Sequence, residues 1–296
     1  MSLSEEKQQQ LDQLLDEHSF THARSYLQEQ TRAGIRFIKA GAADYGRVCS
    51  SRIGGEPDLP EEWAWPLTKD DVPVPMTFLA QLNLAELQDV DATGQLPAKG
   101  MLYFFVGVDE PAYNIEHRVL YAKEEELPTA RRRSTPEETA LEEEFNGYQL
   151  AARPSLEAPN YAYVDYDVIE DEEHEYEDYE DLLLSMNGEE DDVAVMFGYP
   201  TGQHDDDFHE AALTILTGKN YEYSKDKALK AIAGHFDGDE TRAQQEIDNT
   251  LMLLEIETDS EIGFCWWDAG VLHFFIRKED LLAGNFERTY CALYSS

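Results

Sequence analysis

Two stretches of this chain are apolar almost without interruption, and they are nearly the same phrase. Gly100-Met101-Leu102-Tyr103-Phe104-Phe105-Val106 returns as Gly270-Val271-Leu272-His273-Phe274-Phe275-Ile276. Short apolar runs bounded by turn residues read as buried strands. Each copy follows another strand-like run, Leu79 to Leu84 in one case and Leu251 to Ile256 in the other. Further upstream of each lies a Gly-x-Pro turn, Gly55-Glu56-Pro57 and Gly198-Tyr199-Pro200. The pattern predicts an α+β fold: a β-rich body built from two related halves by internal duplication, with an N-terminal helical extension and peripheral helices. Besides the apolar exchanges Met101/Val271 and Val106/Ile276, the phrase departs at His273, where the other copy has Tyr103; on an alternating strand it faces opposite to Leu272 and Phe274.

The remaining pattern fills in that frame. Ser4 is an N-cap with Glu5 and Glu6 in the first turn, and Leu11, Leu14, Leu15 and His18 share a helical face. A second helix carries Ala23, Tyr26 and Leu27 and ends near Gly34, so residues 1–34 read as a helical extension on a 35–296 body. Within the body, strands are predicted over Ile35–Ile38, Met101–Val108 and His117–Ala122, and an alternating strand over Arg288–Tyr294. Thr135-Pro136-Glu137-Glu138 has the form of a capping box, predicting a helix to about Phe145 that accounts for Arg131-Arg132-Arg133 through pairing with nearby carboxylates. Further helices are expected from Phe208 to Thr217 with Asp207 as N-cap, from Ser224 to Gly234, from Glu240 to Asn249, and over Lys278–Ala283. The halves, about 35–150 and 193–296, are joined by an acidic, tyrosine-rich segment over about 157–192, which is expected to be solvated and without regular structure, although its tyrosines and Leu182-Leu183-Leu184 predict that parts of it dock.

Charge changes the picture. The 296 residues carry 62 acidic and 23 basic side chains, a net charge of −39. Such a surface repels nucleic acid and anionic membrane, and speeds encounter with a basic partner or a cation. Fifteen of the acidic residues fall between Asp165 and Asp192, where there is no Lys or Arg, but the rest of the chain is acidic too; salt adaptation and solubility are competing explanations. No apolar run reaches membrane-spanning length, and the acidic N-terminus is no secretory signal. Cys49, Cys265 and Cys291 are widely spaced and fit reduced, inert thiols in a cytoplasm better than disulfides or a zinc site.

Signatures of known chemistries are missing: no phosphate-cradling loop, no dinucleotide fingerprint, no nucleophile elbow and no H-E-x-x-H. No cofactor is called for. The metal-like cluster is His204-Asp205-Asp206-Asp207-Phe208-His209, with His204, Asp205 and His209 as candidate ligands, weighed against the helix-cap reading of Asp207. The acidic run near Glu170 offers only weak, non-specific divalent cation binding. Aromatics beside turn glycines in both halves mark a candidate ligand groove between the halves, of Gly55, Trp65, Gln81, Asn83, Tyr199, Gln203, Trp266, Trp267 and Asp268. The alternative for the tryptophans is packing along a core seam.

The ordered set of motifs resembles the bacterial YwqG-like family. Ile53-Gly54-Gly55-x-Pro57-x-Leu59-Pro60, Trp65-Pro66, Phe78-Leu79-Ala80-Gln81-Leu82-Asn83-Leu84 and Leu96-Pro97 carry it in the first half; Gly198-Tyr199-Pro200 with Gln203, Trp267-Asp268-x-Gly270 and Phe274-Phe275-Ile276 carry it in the second. The resemblance spans roughly residues 35 to 294 and implies one domain of mixed α+β fold, in a soluble bacterial protein. It implies no reaction, and no catalytic residue is carried over.

From these residues, the first reading is a non-enzymatic binding protein that engages a basic protein partner through its acidic face, of inhibitor or immunity type. Tyr166, Glu170, Asp171, Glu172, Glu173, Tyr176 and Tyr179 would form that face, since tyrosine gives contact area at low entropy cost and carboxylates steer a cation. The alternative is an enzyme or small-ligand binder using the groove. A polar pocket holding a carboxylate of raised pKa favours the second reading; a flat acidic surface favours the first.

Overall fold

The structure, a computed structural model, describes residues 3–107, 114–141, 143–188 and 192–295. Helices α1 (Glu5–Glu17) and α2 (Arg24–Gln30) lead into β1 (Arg32–Ala42), β2 (Arg52–Ile53), β3 (Asp58–Leu59) and β4 (Thr77–Asn83). The short α3 (Leu84–Leu87) precedes β5 (Met101–Val106), β6 (His117–Ala122), β7 (Arg131–Arg132) and β8 (Tyr148–Glu157). Then come α4 (Tyr166–Ile169), α5 (Tyr176–Asn187) and β9 (Asp192–Met196). Three helices, α6 (Asp207–Thr217), α7 (Lys225–His235) and α8 (Glu240–Asp248), stand before β10 (Thr250–Glu257). The chain closes with β11 (Val271–Arg277), α9 (Lys278–Leu282) and β12 (Thr289–Tyr294).

Ten strands form one antiparallel sheet in the order β12-β11-β10-β9-β1-β8-β2-β4-β5-β6, and β3 pairs with β7 outside it. Exchanging β1 with β8, β2 with β9, β4 with β10, β5 with β11 and β6 with β12 turns this order into its own reverse. Both β4·β5 and β10·β11 shift register by one residue, before Ala80 and before Leu254. The glycine opening each repeated phrase has a steric cause. A Cβ on Gly100 would lie 2.6 Å from the Ala122 carbonyl oxygen of β6, and one on Gly270 1.9 Å from that of Tyr294 on β12.

The sheet curls until its two flanks face one another. Phe104 of β5 meets Phe274 of β11 edge-on with centroids 5.2 Å apart, and the Ile115 N–H donates to the Cys291 carbonyl at 2.8 Å. Leu102, Phe104 and Val106 thus share one core with Leu272, Phe274 and Ile276, each buried ring or branched chain worth about 1.5–3 kcal/mol. On the outer face of the β9–β12 flank, α6, α7 and α8 cover Met252, Phe275 and Tyr290. On the outer face of the other flank, Trp63 and Trp65 cover Tyr103 and Phe105. A fourth cluster joins α1 and α2 to α4 and α5 through Leu11, Leu15, Phe20, Tyr179 and Leu182.

Several expectations need correcting. The second helix ends at Gln30, and the strand begins at Arg32, so residues up to 34 already belong to the central strand. Among the described residues no helix runs from Pro136 to Phe145; Arg131 and Arg132 instead pair as a strand with Asp58 and Leu59, and Arg132 lies 3.4 Å from Glu56. The strand expected to reach Val108 ends at Val106, and Val108 lies outside the described residues. The acidic segment is not irregular. Tyr166, Tyr176 and Tyr179 fold inward and draw α4 and α5 down onto α1 and α2, with only residues 189–191 undescribed. Strand β8, central to the sheet, has so mixed a burial pattern that periodicity conceals it.

Candidate functional site

Strands β10 and β11 set Glu255 opposite His273. Leu272, Phe274 and Ile276 face the inner core, which leaves His273 and Phe275 on the outer face beneath the helices. Packing there buries both members of the pair, with 1% of the His273 side chain and 4% of Glu255 exposed. His273 Nε2 lies 2.8 Å from Glu255 Oε2, at ion-pair distance but off the line of a good hydrogen bond. The turn at Gly198-Tyr199-Pro200 delivers Thr201, whose backbone N–H donates to Glu255 Oε2 at 2.8 Å and whose hydroxyl donates to Oε1 at 3.1 Å. His273 Nδ1 has no hydrogen-bond partner.

Burial works against the charged forms, yet the pair holds its charges. Desolvation pushes His273 down, but contact with the Glu255 carboxylate, with further help from Asp207 and Glu257, lifts it above its ordinary value. Desolvation likewise pushes Glu255 up, and His273 together with the Thr201 donors outweighs it and holds Glu255 low. Glu257, two residues along β10, is raised by burial and by the neighbouring Glu255 charge. At the start of α6, burial raises Asp207, which accepts from the Tyr163 hydroxyl at 2.7 Å. Burial pushes Glu210 up to about 7, although it accepts a short hydrogen bond from the Tyr290 hydroxyl.

These groups border two cavities. One, of about 300 Å³, lies between the first turn of α6 and the outer ends of β11 and β12, and His273, Asp207, Glu210, Gln203, His204 and Tyr294 line it. The other, of about 240 Å³, has Glu255, Glu257, Thr201, Tyr199, Arg36 and Glu157 in its wall. Arg36 there makes a two-pronged contact with Glu157, at 2.7 and 2.8 Å, and a third at 2.9 Å to Asp192. The Glu255–His273 pair therefore joins a cavity on one side to a cavity on the other. A buried imidazole beside carboxyls of raised pKa is equipped to hold or move a proton.

The predicted groove does not come together at one place. Gln203 lines the His273 cavity and Tyr199 the Glu255 cavity. Gly55 borders a third cavity, near Tyr45 and Phe145. Gln81 is buried against Asp58, and Asn83 caps α3 by accepting from the Ala85 N–H. Trp65 packs on the outer face of the first flank while Trp266 lies in the inner core, so the two never share a wall. Trp267 is 59% exposed, and the Asp268 N–H donates to Ser295 at 3.3 Å.

Of the predicted metal set, Asp205 pairs with Lys225, His204 borders the cavity, and His209 rides on α6; the three do not converge. Asp207 is not the cap of α6, a position held by Asp206, but a buried group of the site. Of the predicted partner-binding residues, Tyr179 is fully buried, and Tyr166 and Tyr176 pack partly against the same cluster; Glu170, Asp171, Glu172 and Glu173 are exposed. The cysteines are free, with Cys291 buried, Cys49 half-buried and Cys265 exposed rather than buried. No helix among the described residues is long and apolar enough to cross a membrane.

Sequence reasoning missed Glu255, Glu257, Thr201 and Glu210 as site residues. Two carboxylates at alternate positions of an otherwise apolar strand were the available signal, strengthened by the histidine standing where the repeat has tyrosine. A family model described as "Domain of unknown function (DUF1963)" matches residues 51–294, a span that includes every one of these groups. No curated protein matches the chain.

Proposed function

The chain belongs to the DUF1963 family, and from that premise we propose that it is a small-ligand-binding protein with acid–base chemistry at the His273–Glu255 pair. The observation that carries this reading is a buried imidazole on a cavity wall with one ring nitrogen unpartnered. Leaving a buried polar atom unmade costs about 1–3 kcal/mol, which a bound ligand would recover. With His273 protonated, Nδ1 offers a donor, while Asp206 and Glu210 supply carboxyls in the same cavity. The ligand that fits has an acceptor oxygen for Nδ1–H and an amine for the carboxyls, as in amino acids and amino alcohols.

Finer parts of this reading rest on motifs and composition. We assign the YwqG-like name and a bacterial source from the motif order, and a reducing cytoplasm from the free thiols. The palindromic strand order and the matched register shifts support descent of the two flanks from one duplicated unit. The exposed acidic row from Glu170 to Glu173 favours a second reading, a surface that steers a basic protein to the molecule.

Thermal denaturation against a panel of amino acids, amino alcohols, neutral polyols and carboxylic acids tests the ligand reading, because a ligand that binds only the folded state raises the midpoint, and does so further as the logarithm of its concentration above Kd. The expected result is stabilisation by the amine-bearing members, lost in His273→Gln and weakened in Glu210→Gln. Stabilisation that survives both substitutions, or that appears with none of the panel, contradicts it.

A further inference from the structure

Away from this site, two imidazoles and a carboxylate meet where the N-terminal helices touch the acidic segment. His22 lies in the turn between α1 and α2; Asp171 and His174 lie between α4 and α5. One nitrogen or oxygen from each falls within 4.8 Å of the others, and among the described residues no other group of three such ligands does so. We propose that these three residues bind a zinc-class divalent cation, which clamps the N-terminal helical pair to the α4–α5 insertion.

Hydrogen bonding already sets the donors. His22 Nε2 lies 2.9 Å from the Ile169 carbonyl oxygen, which can only accept, so in the neutral ring Nε2 carries the hydrogen and Nδ1 presents its lone pair. That lone pair faces Asp171 Oδ2 at 3.5 Å. Two acceptors face each other there, and the separation is close to the ~3.3 Å ligand–ligand edge of a tetrahedron with metal bonds of about 2.0–2.1 Å. A ring N–H held by a backbone carbonyl is the outer-shell arrangement that orients metal-binding histidines. Asp171 is fixed as well. Its Oδ1 accepts from the Glu173 N–H at 2.8 Å, the His174 N–H at 2.9 Å and His174 Nδ1 at 2.9 Å, which leaves Oδ2 for the cation.

His174 completes the set. Its ring stacks on that of His22 with centroids 4.9 Å apart, and 13% of its side chain is exposed. Ligation through Nδ1 requires that nitrogen to give up its hydrogen and its bond to Asp171 Oδ1, so binding releases one proton to solvent. Two imidazoles and one carboxylate suit zinc over calcium or magnesium, which take oxygen sets. Exposed Glu170 and Glu172 flank Asp171 and raise the local cation concentration. Phe20 lies against both His174 and Tyr179, so tightening the three ligands presses the helical pair onto α5.

The test titrates the full chain, stripped with a chelator, with Zn(II), Co(II), Ca(II) and Mg(II), and follows stoichiometry, the Co(II) visible spectrum and proteolysis between residues 18 and 30. The expected result is one zinc per chain, a Co(II) spectrum of tetrahedral nitrogen and oxygen ligation, and protection of the 18–30 turn. His22→Gln and His174→Gln should each weaken binding by about 100-fold or more, beyond the range seen when outer partners alone are removed. His235→Ala, at an exposed position on α7, should leave it unchanged. Circular dichroism checks that both variants keep the fold. No stoichiometric zinc, preference for calcium, or affinity unchanged in both glutamine variants would overturn the proposal.

Discussion

Gln81 and Tyr103 in one flank occupy the places that Glu255 and His273 occupy in the other, directly paired across β4·β5 and β10·β11. In the first flank every polar atom of the pair is used. Gln81 Oε1 accepts from the Asp58 N–H at 2.7 Å, its Nε2 donates to the Ser50 carbonyl at 2.8 Å, and the Tyr103 hydroxyl donates to the Asp58 carbonyl at 2.6 Å. In the second flank Thr201 stands where Asp58 does and donates its N–H to Glu255 in the same way, but His273 keeps one nitrogen free. Replacing glutamine and tyrosine by glutamate and histidine turns a saturated neutral pair into a titratable one. The same scaffold thus carries a saturated network on one side and a titratable one on the other.

The first flank has a charge of its own, one that holds the fold. Arg52, paired across from Gln81, contacts Asp58 with 0% and 1% of their side chains exposed, and Val195 fills the matching place in the second flank. Arg52 lies over the Tyr45 ring at 5.0 Å, and its Nε and Nη1 have no hydrogen-bond partners. A buried pair is weak evidence of net stability, but breaking one strands a charge. Arg52→Ala should therefore give the largest effect, a loss of about 3–5 kcal/mol in urea unfolding at neutral pH. A loss below about 1 kcal/mol would mean that Asp58 is hydrated or neutral in the fold.

The flanks should separate next by pH. Glu210 titrates near 7 in the fold against an ordinary 4.5, so the folded state holds an extra proton between those values. Its contribution is full below 4.5 and is lost as pH rises through 7, about 3 kcal/mol in all. His273, raised above 6.5, contributes in the same sense, fully below 6.5 and less as pH rises through its folded value. Glu255, held low, contributes above 4.5 and loses that as pH falls. Stability should peak between these limits and fall from pH 6 to 8, and Glu210→Gln should flatten the decline. Tyr103, raised by burial, stays neutral below its ordinary 10, so Tyr103→Phe should cost the same at pH 6 and 8. Unfolding at the two pH values checks both.

A smaller effect concerns Asn83, a residue the sequence placed in the ligand groove. It caps α3 and donates to the Cys49 carbonyl at 2.8 Å, so Asn83→Ala should cost about 1 kcal/mol and leave ligand stabilisation intact. Loss of ligand response in this variant would place the binding site on the first flank.

The repeated phrase made the flanks legible, because a glycine at close quarters followed by a run of buried residues has few readings. Helices α6, α7 and α8 were legible too, through Gly218 and the Ser224 cap. The sheet's centre was hidden, since β8 alternates poorly and its burial comes from β1 and β2 rather than from its own pattern. The helices of the acidic segment were hidden because its charges face water while only Tyr166, Tyr176 and Tyr179 pack toward α1 and α2. His273 was noticed but its partner was not, for Glu255 is one carboxylate among 62 until the sheet register sets the two side by side.

Imidazole nitrogen resonances of His273, followed by NMR across pH 5 to 9 with and without an amine-bearing ligand, report both the charge of the ring and its contact with the ligand. The expected result is an imidazole that stays protonated above pH 6.5, with Nδ1 shifting on ligand addition while the Tyr103 ring does not respond. A His273 that is neutral at pH 6 and blind to every ligand would contradict it.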